Sequence, residues 1–326
     1  MMGLAASIGR RLARAIGLLL AVAVLNFGLI HLAPGDVVQT IVGEMGGASE
    51  ATIKALRESY GLDRPFLNQL LVYLGRIAAG DLGTSVYFNK PVLGLILDRV
   101  PATVLLVMTA LALAILVGVT LGVISARLPR SWLAAGINVV ALFGFSAPVF
   151  WSGLLLLLVF AIYLPLVPTG GMYNVAKGAT GLAYVLDVAR HLILPALTLA
   201  IIYLALYTRL ARSSMLEVMG SDYVRTARAK GLPERTVLFK HALRNALMPV
   251  ITIAGLQMSG MLAGTVLVET VFTWPGMGLL AYDSILRRDN QLILGILLMS
   301  AVLVIIGNLV TDILYRLVDP RVSVGE

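Results

Sequence analysis

Val100 to Ile124 reads VPATVLLVMTALALAILVGVTLGVI, without one charged residue. At about 1.5 Å of rise per residue, a helix of this stretch is longer than the roughly 30 Å of a bilayer's hydrocarbon core. Hydrocarbon offers no partner to a backbone N–H or C=O, so such a run is expected as a spanning helix. Five more runs have this character, some only with polar ends included: residues 15–33, 132–166, 192–208, 246–268 and 292–310. The run at 132–166 is too long for one straight span and holds Pro148, expected to kink it. Cutting it in two would make seven spans and put the two basic termini on opposite sides. Six spans in an all-α polytopic protein is the expectation.

Composition points the same way. Of 326 residues, 59% are hydrophobic and 13% charged, about half the charged share of a soluble domain. That is too little polar surface for a chain surrounded by water, which excludes an ordinary soluble enzyme. The absence of cysteine removes disulfides, thiolate metal sites and a cysteine nucleophile. The net charge of +8 is explained by orientation. With the N-terminus inside, Arg10, Arg11, Arg14, Arg127, Arg130, the cations from Arg209 to Arg244, Arg316 and Arg321 all fall on the cytoplasmic side, and the outer segments are close to neutral. Nucleic acid is therefore not an expected partner. The first residues also resemble a signal peptide, but the apolar run continues to Leu32, and an uncleaved first span is favoured over a cleaved leader.

Three parts follow: residues 1–33, a tail and the first span; 34–99, an extracytoplasmic segment; and 100–326, a five-helix core with a cytoplasmic loop at about 209–244. In the outer segment, Ser49 is placed to cap a helix running to Tyr60, a second helix runs from Pro65 to Ala79, and Gly80-Asp81-Leu82-Gly83 marks a turn. In the inner loop, Ser221-Asp222 can cap a short helix to about Lys230, stopped by Gly231 and Pro233.

Catalytic and metal motifs are lacking. His31, His191 and His241 lie in separate segments and read as polar helix-end residues; no Gly-Lys pair exists to build a phosphate-binding loop. Gly144 to Pro148 begins like a nucleophile elbow but lacks its second glycine, and reads as a helix kink. Asp312 and Arg316, four residues apart, are expected as a local ion pair. Inside the spans the polar groups are neutral, such as Asn26, Thr109, Asn138, Thr252, Gln257 and Asn308. An ion-coupled secondary transporter, the alternative function, usually needs ionisable groups there. Gly118 and Gly122, and Gly255, Ser259 and Ala263 beside Gly260 and Gly264, have the spacing of close helix packing.

The segment SDYVRTARAKGLPERTVLFKHALRNALMP, Ser221 to Pro249, resembles the cytoplasmic signature of permease subunits of bacterial ATP-binding-cassette importers, in the dipeptide, oligopeptide and nickel group. The resemblance extends in order through His31-Leu-Ala-Pro-Gly-Asp36, Gly80-Asp-Leu-Gly-Thr-Ser85, Leu194-Pro-Ala-Leu-Thr-Leu-Ala200, Glu269-Thr-Val-Phe-Thr-Trp-Pro-Gly-Met-Gly278 and Asp319-Pro-Arg321. Where the wider superfamily has Glu-Ala-Ala, this chain has Arg225-Thr226-Ala227, then Gly231, with Pro249 further off. A salt bridge from that missing glutamate is therefore not carried over.

The resemblance implies a type I importer fold in the bacterial cytoplasmic membrane, with both termini inside. It implies half of a pore completed by a second permease, two ATP-binding subunits that hold ATP and Mg, and an extracytoplasmic solute-binding protein; this chain would bind no cofactor and is not itself an enzyme. The ATPase-coupling residues would be Asp222, Tyr223, Arg225, Thr226, Ala227, Arg228, Ala229, Lys230, Gly231 and Glu234. The pathway or gate is expected along the fifth span at Thr252, Gln257 and Ser259. The solute would be a dipeptide, an oligopeptide, glutathione, a nickel chelate or another small molecule.

Overall fold

The computed structural model describes residues 2–32, 49–54 and 65–318. The chain is almost wholly helical: α1 Met2–Leu32, α2 Phe66–Ala78, α3 Val92–Arg127, α4 Trp132–Ser146, α5 Val149–Leu157, α6 Gly181–Met219, α7 Asp222–Ala229, α8 Met248–Val271, α9 Met277–Leu286 and α10 Asn290–Val318. The described residues of the six apolar runs fall mostly on helix. Helices α3 and α6 and residues Asn290–Thr311 of α10 are long and apolar enough to cross a membrane; α1 and α8 carry shorter apolar stretches, Ala13–Leu29 and Met248–Gln257. Departing from an all-helical chain, Thr84–Ser85 and Lys90–Pro91 pair as a two-residue antiparallel hairpin, β1 and β2.

The expected kink at Pro148 is a break. Between α4 and α5 the chain bends by more than 40°, with Pro148 extended at ψ 137°. Proline has no N–H to give the helix and pushes the residue before it out of the α region. Beyond α5 the helix ends in a wide turn at Leu158–Tyr163.

The chain packs as two units, Met1–Val100 with Leu280–Ile305, and Pro101–Leu279 with Ile306–Glu326. In the first, Phe27 of α1 meets Phe66 and Tyr73 of α2 with ring centroids 5.2 and 5.6 Å away. Asn26, a buried amide, donates to the Leu294 carbonyl at 3.1 Å. Gly83 is left-handed, at φ +85°, and its carbonyl accepts from the Val92 N–H at 2.9 Å, joining the turn to the start of α3. Ser49 does cap the helical turn after it, accepting from the Thr52 N–H at 3.2 Å. The remainder of that expected helix, from residue 55, lies outside the described residues, as do residues 33–36 of the first motif and the Asp319-Pro-Arg321 motif.

In the second unit α3 lies against α6, and the glycine spacing explains how. A Cβ on Gly118 would stand 2.8 Å from Tyr207 Cβ, and one on Gly122 would stand 2.6 Å from the Thr208 carbonyl oxygen. Only hydrogen fits there, so the two backbones approach closely. In α8, Gly255 is as tightly placed against Thr311, whereas a Cβ on Gly260 would only touch the Gln257 side chain, at 3.7 Å. The core around this crossing includes Leu106, Ala110, Leu199, Tyr207, Met261 and Phe272. Near one end, the Trp274 indole donates to the Ala102 carbonyl at 2.9 Å. Toward the other, Ala126, Met215, Leu238, Ala242 and Ala246 pack together. Thus α3 and α6 run in one direction and α8 returns, the alternation that the cation distribution requires. His191 Nδ1 lies 2.7 Å from the Asp187 carbonyl, a satisfied helix histidine. The Asp312 and Arg316 side chains lie outside the described residues.

Candidate functional site

The loop between α6 and α8 folds into a compact helical hairpin. Ser221 has the extended backbone of an N-cap, at ψ 154°, but its hydroxyl donates back to the Val218 carbonyl at 2.6 Å instead of capping α7. Asp222 stands in the first turn, where a carboxylate favours the positive end of a helix. The Thr226 hydroxyl closes on the Asp222 carbonyl at 2.9 Å. Past Lys230, Gly231 adopts φ +74°, a conformation glycine holds without a Cβ penalty, and the helix stops. Pro233 then opens the next turn, Glu234–Thr236, which continues through the wide helical segment Val237–Leu243.

Two apolar residues seat α7. Val224 and Ala227 are buried against Val237 and Val218, and the Asn245 amide donates to the Tyr223 hydroxyl at 2.8 Å. Ala227 therefore faces inward and anchors the helix. Asp222, Tyr223, Arg225, Thr226, Arg228, Ala229, Lys230, Gly231 and Glu234 are all exposed. Across the turn, Arg228 grips Glu234 at two points, Nε to Oε2 at 3.2 Å and Nη2 to Oε1 at 2.8 Å. That hydrogen bonding holds the Glu234 carboxyl below its usual range. The result is a short, locked, mostly basic projection between two long helices. Such a shape can be pushed as a unit and can fit a groove bearing carboxylates.

The expected pathway residues all lie on α8, apart from the hairpin. Thr252 is exposed and its hydroxyl donates to the Met248 carbonyl at 2.9 Å; Gln257 is half-buried. The Ser259 side chain lies outside the described residues. At about 100° per residue, Thr252 and Ser259 share a face of α8 and Gln257 sits about 140° round from Thr252. The three do not line one lane.

Sequence reading missed the polar centre at the other end of α8. Glu269 is buried, its Oε1 accepting from the Thr103 hydroxyl at 2.8 Å and its Oε2 from the Leu279 N–H at 3.0 Å. Thr103 in turn accepts from the Met277 N–H at 2.8 Å. A Cβ on Gly276 would come within 2.3 Å of the carboxylate, and one on Gly278 within 2.6 Å of Val266 Cα. The Trp-Pro-Gly-Met-Gly corner is thus folded around a carboxylate, which ties α3, α8 and the start of α9 together. The available signal was that Glu269 is the lone charged residue between Arg244 and Asp283.

A family model described as binding-protein-dependent transport system inner membrane component matches residues 118–324, and its N-terminal companion matches residues 5–107. The oligopeptide transport system permease protein AppB of Bacillus subtilis (strain 168) is 43% identical over 321 residues, covering 98% of this chain and 100% of that protein. The di/tripeptide transport system permease protein DppB of Pseudomonas aeruginosa (strain UCBPP-PA14) is 43% identical over 330 residues, covering 97% and 98%. The dipeptide transport system permease protein DppB of Escherichia coli (strain K12) is 38% identical, covering 96% and 97%. Among solved structures, the inward-facing MetNI methionine ABC transporter superposes with a TM-score of 0.55 at 14% identity, covering 70% of this chain and 97% of that one. At that identity the likeness concerns the fold alone. Sequence match along nearly the whole chain and the helical architecture agree: the chain belongs to the family of binding-protein-dependent transport system inner membrane components.

Proposed function

We propose that this chain is one of two permease subunits of an ATP-driven peptide importer in the bacterial cytoplasmic membrane, both termini inside. It forms half of the translocation path and takes its mechanical input through the hairpin at Asp222 to Glu234. The observation that carries the reading is α7: eight residues, seated by Val224 and Ala227, stopped by left-handed Gly231 and locked by Arg228 and Glu234. A helix this short is not stable alone, so its rigidity is built by its surroundings, as a lever needs. ATP and Mg belong to partner ATPases; a second permease and a soluble solute-binding protein complete the assembly. The peptide class follows the relatives, which are named as oligopeptide and dipeptide permeases.

Uptake of a labelled dipeptide or oligopeptide into proteoliposomes, with the co-encoded subunits present, tests this. The expected result is uptake that requires ATP and survives collapse of proton and sodium gradients. Uptake that runs on an ion gradient without ATP would instead make the chain a secondary transporter.

A further inference from the structure

We propose that Tyr87, Lys90, Arg287 and Arg288 form a docking surface for an acidic face of the soluble solute-binding protein, an inference that rests on the importer reading above. The β1–β2 hairpin and the α9–α10 corner meet here, within one packing unit. The Arg287 guanidinium lies 3.6 Å above the Tyr87 ring, which holds a cation at an exposed surface in a fixed pose. Arg288, next in the chain, and Lys90, paired with Ser85 across the hairpin, are exposed.

The local carboxylate does not neutralise them. Asp289 is buried; its Oδ2 accepts from the Ser85 hydroxyl at 2.5 Å and the Tyr87 N–H at 3.4 Å, and its Oδ1 from the Leu292 N–H at 3.1 Å. Asp283, one turn earlier, forms no ion pair with either arginine. Among the described residues the three cations are therefore available to an outside partner, and charge complementarity requires that partner to be acidic.

Arg288 adds a second observation. It closes α9 at φ +58°, with its N–H on the Ile285 carbonyl at 3.1 Å and the Asp289 N–H on the Ser284 carbonyl at 2.9 Å. Glycine is the residue that fits such a left-handed cap without strain. A strained arginine there gives up stability and gains an exposed positive charge, the pattern of a functional position. The patch is also mechanically placed, because Asp289 caps α10 and the Gly83 carbonyl holds the first N–H of α3. Contact at this corner reaches the starts of two spanning helices.

The test is binding-protein-stimulated ATPase activity of the complete transporter in neutral-lipid vesicles, titrated with the binding protein. Arg287→Glu with Arg288→Glu should raise the half-maximal concentration about ten-fold at low salt and flatten its salt dependence, with the saturated rate kept within about two-fold. Arg288→Gly relieves the left-handed strain. It should hold or raise thermal stability yet still weaken docking roughly three-fold, an effect a purely structural role would not give. An unchanged half-maximal concentration in the double variant would overturn the proposal. So would a shift seen only in vesicles of anionic lipid, which would assign the patch to headgroups. A wild-type complex that the binding protein does not stimulate at all would instead overturn the importer reading, and this one with it.

Discussion

Arg228 and Glu234 clasp each other across the Gly231 turn by two hydrogen bonds, at 3.2 and 2.8 Å, and so join the end of α7 to the segment that follows it. Both are exposed, so the pair sets the angle of the hairpin more than it stabilises the fold. Its carboxyl is held below the usual range by Arg228. The contribution is therefore complete above the ordinary glutamate value of about 4.3 and is lost only as pH falls through the lower folded value. Near neutral pH the clasp is closed.

Glu234→Gln and Arg228→Gln should each lower coupled uptake without changing the amount of subunit in the membrane. Exchanging the charges, Arg228→Glu with Glu234→Arg, should recover most of the loss. Transport assays across pH 6 to 8 should show the same variant-to-wild-type ratio throughout. A ratio that changes across this range would mean that another group titrates at the hairpin.

Gly231→Val places a β-branched residue at φ +74°, which costs about 1–2 kcal/mol. A Cβ there meets no neighbour, so the effect is backbone strain and not a clash. Uptake should fall or the ATPase should copurify poorly, while Gly231→Asn, better suited to the left-handed region, should be milder. Equal behaviour of Val and Asn would remove the backbone explanation.

Most of the architecture was legible because lipid imposes a coarse rule: long uncharged runs become helices, and cations mark one side. Gly231 and Pro233 announced the end of α7 by their own backbone chemistry. What escaped was non-local. The Ser221 side chain turns back to donate to the Val218 carbonyl in the preceding helix, and in that pose its oxygen accepts from no N–H of α7. The bend at Pro148 exceeds a kink, and no local rule sets its size. Glu269 lies one residue past the expected end of the fifth span, and its meaning comes from Thr103, distant in sequence.

Glu269→Ala would leave the Thr103 hydroxyl and the Leu279 N–H without their acceptor, and the loss of one hydrogen bond to a buried carboxylate is about 1.5–3 kcal/mol. Thermal unfolding in detergent should show a clear fall. Thr103→Val should also lower it, since it removes the bond to Glu269 and the acceptor of the Met277 N–H together. Wild-type stability of Glu269→Ala would mean that the corner holds without its carboxylate.

Trp at Gln257 and Trp at Ser259 probe different faces of α8. Blocked uptake at one of them, with the complex still assembled and hydrolysing ATP, identifies the face that lines the route. Normal uptake with both would move the pathway off this helix.

Contact between α7 and an ATPase subunit can be tested directly by cross-linking. The cysteine-free background permits single replacements, and Ala229→Cys and Lys230→Cys put a thiol on the exposed end of the hairpin. In the complete transporter a short bifunctional reagent should cross-link each to an ATPase subunit, with a yield that changes when ATP binds. Neither should label from outside intact cells, while Lys177→Cys should. No cross-link to the ATPase from either position, or external labelling of Lys230→Cys, would contradict the account.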